Sequence, residues 1–263
     1  MGKIAEYEIK ATKRLGQNFL VDTNVADKEV RQSKVSKKDV VLEIGSGYGV
    51  LTKRLADVAK KVYAVEKDPK MVNVLNMEVE DLDNVEIIAG DFLKIDLPEF
   101  DLCVANIPYN ISSNIVERLG RLGKGGVLIV QREFAQRLTA DPGSRDYSRL
   151  TVLSRFYFDV SIISVVNPRC FRPIPKVFSS MIRLVPVKRE IEDKEGFFRF
   201  VRAIFNHKRK TLASALKCCS RDLDLPKDKL MEISGKIKYS DARVNKLELD
   251  KLFELHEDFR KLL

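Results

Sequence analysis

The sequence predicts an α/β protein with a helical part at its C-terminal end, on three observations. From about residue 40, short apolar runs rich in Val and Ile alternate with helically spaced segments. Such continuous runs suit parallel strands buried on both faces. Two strand-like runs starting near residues 156 and 179 have no helical segment between them, so they should pair antiparallel. Beyond residue 188 only helical periodicity is found.

Val40-Val41-Leu42-Glu43-Ile44 reads as the first strand and Gly45 to Gly49 as the turn that ends it. Leu51, Leu55 and Val58 share one face of the helix that follows. Val62 to Glu66 is the second strand, and a helix through Met71, Leu75 and Val79 succeeds it. Val85 to Ala89, Leu102 to Ala105 and Val127 to Val130 are the third to fifth strands. Phe156 to Val166 and Ser179 to Val185 complete the set, joined by a loop containing Pro168, Pro173 and Pro175. The expected sheet is seven-stranded, mostly parallel, and ends in a reversed hairpin. Lys188 to Lys194 is a charged stretch after Pro186 and marks a linker. In the tail, Phe197, Val201, Ile204 and Phe205 fall on one helical face, as do Leu252, Leu255, Phe259 and Leu262. The domains expected are therefore residues 1–187 and a small all-α domain over 188–263.

A chain of 263 residues suits one good-sized domain with a modest appendage. Lys+Arg 47 against Asp+Glu 38 gives a net charge of +9, which favours a polyanionic partner, although solubility alone also accounts for it. The tail from residue 186 carries 19 basic and 14 acidic side chains, more than half of that excess. There is no apolar run long enough for a transmembrane helix and no secretory pattern at the N-terminus, so a cytoplasmic protein is expected. Four cysteines without a C-x-x-C pair and only two histidines leave no expected disulfide framework or metal site.

Glycines in Glu43-Ile44-Gly45-Ser46-Gly47-Tyr48-Gly49 let the backbone approach a ligand closely at the turn from the first strand into the first helix. Glu66 ends the second strand 21 residues after Gly45, where a carboxylate can accept from both ribose hydroxyls. A tight turn with no ligand is the plain alternative. The G-x-G-x-G spacing differs from that of dinucleotide sites, and Glu43 just before it would repel a diphosphate. It would suit a cation, and S-adenosylmethionine, a sulfonium with an ammonium group and no phosphate, meets that condition. Gly90-Asp91-Phe92 after the third strand offers an acceptor for an adenine amino group and a ring to cover the base. Asp91 could equally be a helix N-cap.

Asn106-Ile107-Pro108-Tyr109 follows the fourth strand. The exocyclic amine of adenine is a poor nucleophile because its lone pair is delocalised into the ring. The Asn106 side-chain oxygen and the Ile107 carbonyl, both accepting from that amine, would favour the pyramidal form that attacks. Pro108 stiffens the turn and Tyr109 offers a face to the base. Attack on a sulfonium requires no general base. At an arbitrary position the same tetrapeptide would read as an ordinary Asn-Pro turn.

With these residues in hand, the chain resembles the ribosomal RNA adenine dimethyltransferase family over nearly its whole length, and most closely its small-subunit branch. The resemblance implies a class I S-adenosylmethionine-dependent methyltransferase with a Rossmann-like sheet, N6-methylating adenosines. Gln17-Asn18-Phe19-Leu20 resembles the family's Q-x-F-L element. The cofactor contacts implied fall on Asn18, Leu20, Gly45, Glu66, Asp91 and Asn106, to which the local reading adds Glu43, Gly47 and Phe92. Phe171 to Ser179 resembles the family's F-x-P-x-P-K-V-x-S loop, whose aromatic, here Phe171, is implied to sandwich the target base with Tyr109. Ile107 stands where the family often has Leu or Pro, which is immaterial if only its carbonyl is used. The resemblance further implies dimethylation of two neighbouring adenosines in a loop near the 3′ end of small-subunit rRNA, within a precursor particle and by a monomer. Lys13-Arg14 and Lys208-Arg209-Lys210 are candidate phosphate contacts, against the alternatives of a solvated face and a solubilising arm. Rival readings are an RNA-binding assembly factor without turnover, a large-subunit rRNA methylase, a nicotinamide-dependent oxidoreductase, and a methylase of DNA or protein glutamine.

Overall fold

The computed structural model describes residues 17–263, which form two compact units. The first runs to Ala135 and resumes over Phe158–Pro186; the second comprises Gln136–Tyr157 and Val187–Leu263. The boundary read from the sequence at 187/188 lies one residue from the last of these crossings, whereas the excursion Gln136–Tyr157 is not visible in it.

The first unit begins with β1 (Phe19–Leu20), α1 (Thr23–Ser33), β2 (Val40–Ile44), α2 (Val50–Val58) and β3 (Lys61–Glu66). Next come α3 (Pro69–Glu78), β4 (Val85–Ala89), β5 (Leu102–Asn106), α4 (Ser112–Arg121) and β6 (Gly126–Gln131). The unit boundary falls within α5 (Arg132–Thr139), and α6 (Arg149–Tyr157) belongs to the second unit. The first unit closes with β7 (Phe158–Val166), β8 (Phe171–Arg172) and β9 (Ser179–Pro186). The sheet order is β4-β3-β2-β5-β6-β9-β7. Its first five strands are parallel, and β9 runs antiparallel to both β6 and β7. This is the mostly parallel, Rossmann-like sheet ending in the reversed hairpin that the sequence predicts.

Local chemistry sets the helix ends. Asp22 caps α1 by accepting from the Asn24 and Val25 amides, and Asp68 caps α3 ahead of Pro69, whose missing N–H is no loss there. Val41, Leu42, Val62, Ala64, Cys103 and Val104 are fully buried, as expected for strands covered on both faces. Strand order reverses between β2 and β5. The crevice at the carboxyl ends of such neighbours is where ligands bind in open α/β sheets, and it receives both the glycine turn and the Asn106 turn. A two-stranded ribbon, β1 against β8 with Leu20 opposite Phe171, stands outside the main sheet.

One element differs from expectation. Phe156 and Tyr157 end a helix rather than start a strand. Their rings belong to the aromatic core of the second unit, where Phe156 lies 5.9 Å from both Phe197 and Phe253, centroid to centroid. Burial of these rings overrides their strand propensity. The rest of that unit is α7 (Lys194–Phe205), α8 (Leu212–Leu216), α9 (Ser220–Leu223), α10 (Lys227–Lys236) and α11 (Leu249–Leu262), so its regular structure is all helical. Within it, the Tyr147 hydroxyl donates to the Leu247 carbonyl at 2.7 Å.

Candidate active site

A cavity of about 150 Å³ opens at the carboxyl ends of β2, β3, β4 and β5. Asn18, Leu20, Glu43, Gly45, Gly47, Glu66, Asp91, Phe92, Asn106, Ile107, Pro108 and Tyr109 all line it. Sequence-predicted residues drawn from five separate segments are thus brought together.

The glycine turn lies beside Glu66. The Gly45 amide donates to the Val65 carbonyl at 2.8 Å. Gly47 has φ 53°, and a Cβ there would lie 2.8 Å from Phe19 Cδ1, so the turn demands glycine both for its backbone and for the ring above it. The Phe19 ring also meets Tyr48 edge-on at 4.7 Å. The amides of Gly47 and Asp68 donate to the two oxygens of Glu66 at 3.0 and 2.8 Å. Burial raises the Glu66 pKa, and those amides oppose the rise. Gln17 Nε2 donates to Asp68 at 2.9 Å, linking the N-terminal segment to this corner.

Glu43 is 2% exposed and accepts from the Thr52 hydroxyl at 2.5 Å; burial pushes its pKa up to about 7. A buried carboxyl in this state gains from a cation beside it, which would favour its ionised form. Of the two roles weighed for Asp91, the cap is met at a turn rather than at a helix. Its Oδ1 caps a turn by accepting from the Leu93 amide, and its Oδ2 pairs with Lys67 at 2.8 Å, which holds its pKa below the usual carboxylate range.

At the end of β5 the Asn106 side-chain amide donates to the Asn18 carbonyl at 2.9 Å. Its other end, Oδ1, is buried without a hydrogen-bond partner. No hydrogen bond among the described residues reaches the Ile107 carbonyl, while the Ile107 side chain is 1% exposed in the core. The Ser112 hydroxyl closes the turn by donating to the Pro108 and Tyr109 carbonyls. The Tyr109 and Ser179 hydroxyls are 2.6 Å apart, and burial keeps the phenol pKa above its ordinary value. Two oxygen acceptors at a stiffened bend, next to a cavity lined by Gly45 and Glu66, can hold an exocyclic amine for alkylation.

The profile of the Ribosomal RNA adenine dimethylase family matches residues 8–255. The chain belongs to this family. A curated relative from Methanosarcina mazei, named "Probable ribosomal RNA small subunit methyltransferase A", is 45% identical over 226 residues, 85% of this chain and 83% of its own. A protein of the same name from Thermococcus onnurineus is 43% identical over 96% of this chain and 93% of its own. Among solved structures, a dimethyladenosine transferase from Plasmodium falciparum superposes with a TM-score of 0.79 at 30% identity, covering 93% of this chain and 98% of that one. The 23S rRNA methyltransferase ErmE does so with 0.66 at 27%, covering 92% and 100%. As a ribosomal RNA adenine dimethylase, the chain is an S-adenosylmethionine-dependent rRNA adenine-N6 methyltransferase.

Against that family pattern two expectations need correction. Phe171 is fully buried, is absent from the cavity wall, and packs in the hydrophobic core with Leu20, Val166 and Met181. Its pairing with Leu20 in the β1–β8 ribbon holds the ring inward, so it presents no face to a base. Lys208 is not simply a surface cation: its ammonium donates to the Arg145 and Tyr147 carbonyls at 2.9 and 2.8 Å. Lys210 lies 3.1 Å from the Cys218 sulfur, and Arg209 is exposed. Lys13 and Arg14 lie outside the described residues. Phe19, Tyr48 and Ser179 are site residues that sequence reasoning did not single out; for Ser179 the signal was its place at the end of the proline-rich loop. Among the described residues no group of three or more His, Cys, Asp or Glu could hold a metal, and no helix is long and apolar enough to cross a membrane.

Proposed function

We propose that the chain dimethylates N6 of two adjacent adenosines in a loop near the 3′ end of small-subunit rRNA, within a precursor of the small ribosomal subunit, as a cytoplasmic monomer. The small-subunit assignment draws on the names of the curated relatives, 43% and 45% identical, against 27% for the large-subunit enzyme among the solved structures.

The observation that carries the chemistry is the buried, unpartnered Oδ1 of Asn106, with its amide already committed to Asn18. The cavity residues fit S-adenosylmethionine. Glu66 would accept from the ribose hydroxyls, Asp91 and Phe92 would receive the adenine, and Asn18, Leu20, Gly45 and Gly47 would shape the methionine side. Glu43 supplies negative charge against the cationic end. S-adenosylmethionine provides an activated methyl group when bound. Asn106 Oδ1 and the Ile107 carbonyl each accept a hydrogen from the target amine, drawing its lone pair out of conjugation. Pro108 keeps the two acceptors at a fixed separation. Tyr109 stays protonated and stacks. The alkylated amine then loses one proton to water, leaving a secondary amine with a single N–H. In the second round, with a fresh S-adenosylmethionine, it would donate to only one of the two acceptors before the same attack and proton loss.

Turning an adenosine out of its stack costs about a few kcal/mol, and stacking on one aromatic returns roughly 1–3 kcal/mol. With Phe171 buried, the second stacking face falls to Phe178, 47% exposed beside Ser179. Phosphate contacts from Arg209 and Lys210 in the helical unit supply sequence-independent affinity.

The deciding experiment incubates the protein with isotope-labelled S-adenosylmethionine and unmethylated small or large ribosomal subunits, then maps dimethyladenosine. Label in two neighbouring adenosines of the small-subunit RNA is expected. Label confined to large-subunit RNA would overturn the assignment.

A further inference from the structure

The loop after β4 is short and tightly curled. The Asp91 carbonyl accepts from the Lys94 and Ile95 amides at 2.8 and 3.1 Å, and the Gly90 amide donates to the Glu66 carbonyl at 2.8 Å. A Cβ on Gly90 would lie 2.6 Å from Ile95 Cγ2, so the curl closes on the glycine itself. Two carbonyls of this loop are turned outward, those of Phe92 and Ile95, and both meet one side chain. The Arg118 guanidinium donates through one terminal nitrogen to the Phe92 carbonyl and through the other to the Ile95 carbonyl at 2.6 Å. The same guanidinium lies 5.0 Å from the centroid of the Phe92 ring, within cation–π range. Phe92 is 3% exposed and lines the cavity. No carboxylate pairs with Arg118 among the described residues, so the loop carbonyls are what its charge-assisted donors satisfy.

Arg118 sits on α4, the helix whose first residue, Ser112, binds the Pro108 and Tyr109 carbonyls. Six residues of helix, about 9 Å at 1.5 Å per residue, therefore connect the turn carrying Asn106 with the loop carrying Asp91 and Phe92.

We propose that Arg118 is a positioning residue for the adenine end of S-adenosylmethionine: by clamping the Phe92 and Ile95 carbonyls it sets the acceptor of Asp91 and the ring of Phe92 at the base. This rests on the reading of Asp91 and Phe92 as the adenine side of the cavity. A planar fork is needed because two divergent carbonyls must be met at once; a lysine ammonium in its place can hold one of them firmly.

The test compares the unaltered protein with Arg118→Lys and Arg118→Met. Calorimetric titration uses S-adenosylhomocysteine and its inosine counterpart, which replaces the adenine amino group with a carbonyl. Methylation kinetics are run on small subunits. Arg118→Met should weaken S-adenosylhomocysteine at least ~10-fold and Arg118→Lys by about 3-fold, with a matching rise in KM for S-adenosylmethionine. At saturating cofactor kcat should stay within about twofold, and the preference for the adenine ligand over the inosine one should collapse in step. Packing loss alone would lower the melting temperature without moving that preference. Failure of the unaltered protein to bind S-adenosylhomocysteine would overturn the site reading itself. Binding by the unaltered protein with equal affinity and preference in both variants would overturn the role of Arg118 alone. If Arg118→Met does not fold, Arg118→Lys decides: unchanged affinity and preference refute the clamp.

Discussion

The side-chain amide of Asn106 and the main-chain carbonyl of Asn18 are 2.9 Å apart, a contact spanning 88 residues of chain. It resolves the two-fold ambiguity of an amide side chain, since donation to Asn18 leaves only the oxygen to face an incoming amine.

Replacement of Asn106 by Ala should therefore remove one of the two acceptors and lower kcat by about 10²–10³-fold, the scale of losing one preorganised polar group. Affinity for ribosomal RNA should change little. A tritiated-methyl assay on small subunits with a parallel filter-binding curve measures both, and near-unaltered turnover would falsify the role.

Glu66 is fixed by two amides before any ligand arrives. Glu66→Ala should weaken S-adenosylhomocysteine by about 10–100-fold, since hydrogen bonds to a charged group are worth roughly 1.5–3 kcal/mol. Isothermal titration gives the number directly; an unchanged dissociation constant rejects the ribose assignment.

The two aromatics of the proline-rich segment should separate cleanly. Phe171→Ala should destabilise the fold by roughly 3–5 kcal/mol, as for other buried Phe truncations, visible in urea unfolding. Phe178→Ala should leave the unfolding curve in place and raise KM for RNA severalfold, with Phe178→Tyr restoring it. If Phe178→Ala leaves the RNA KM unaltered, the second stacking face lies elsewhere.

Glu29 on α1 is fully buried with both carboxyl oxygens unpartnered. Burial, reinforced by the nearby Glu43, lifts its pKa well above the ordinary 4.5. The folded chain thus holds a proton that the unfolded chain releases above about pH 4.5. Stability from this group is full below that pH and is lost as pH rises toward the folded pKa. Glu29→Gln should be more stable than the unaltered protein at pH 8, by about 1–3 kcal/mol, with the difference shrinking toward pH 4.5. Urea midpoints across that range would show it; parallel pH slopes for the two proteins would refute it.

Arg209→Ala combined with Lys210→Ala should flatten the dependence of RNA affinity on salt by about two counterions' worth of slope. Lys208→Ala should instead lower the melting temperature, because its ammonium ties down the Arg145 and Tyr147 carbonyls. An unaltered salt slope in the double variant removes the helical unit from phosphate binding.

Much of the fold and of the site is legible in the sequence, and for a physical reason. Strands such as Val40–Ile44 and Val62–Glu66 are apolar on both faces, and glycines with positive φ or an Asn-x-Pro bend leave compact local signatures. Phe171 was misplaced because an aromatic in a proline-rich segment looks the same whether it faces a ligand or the core; only its pairing opposite Leu20 decides. Phe156 was misassigned because its partners, Phe197 and Phe253, lie far along the chain. Arg118 left no trace at all, since it recognises main-chain carbonyls, which every sequence supplies.

The excursion Gln136–Tyr157 makes the helical unit discontinuous, with consequences for how such proteins can be recombined. Splicing the last 77 residues, Val187–Leu263, from one homologue onto another would put Phe156 from the recipient against Phe197 and Phe253 from the donor, and Tyr157 against the donor's Phe198. A workable chimera has to carry both pieces together, as an insertion plus a tail.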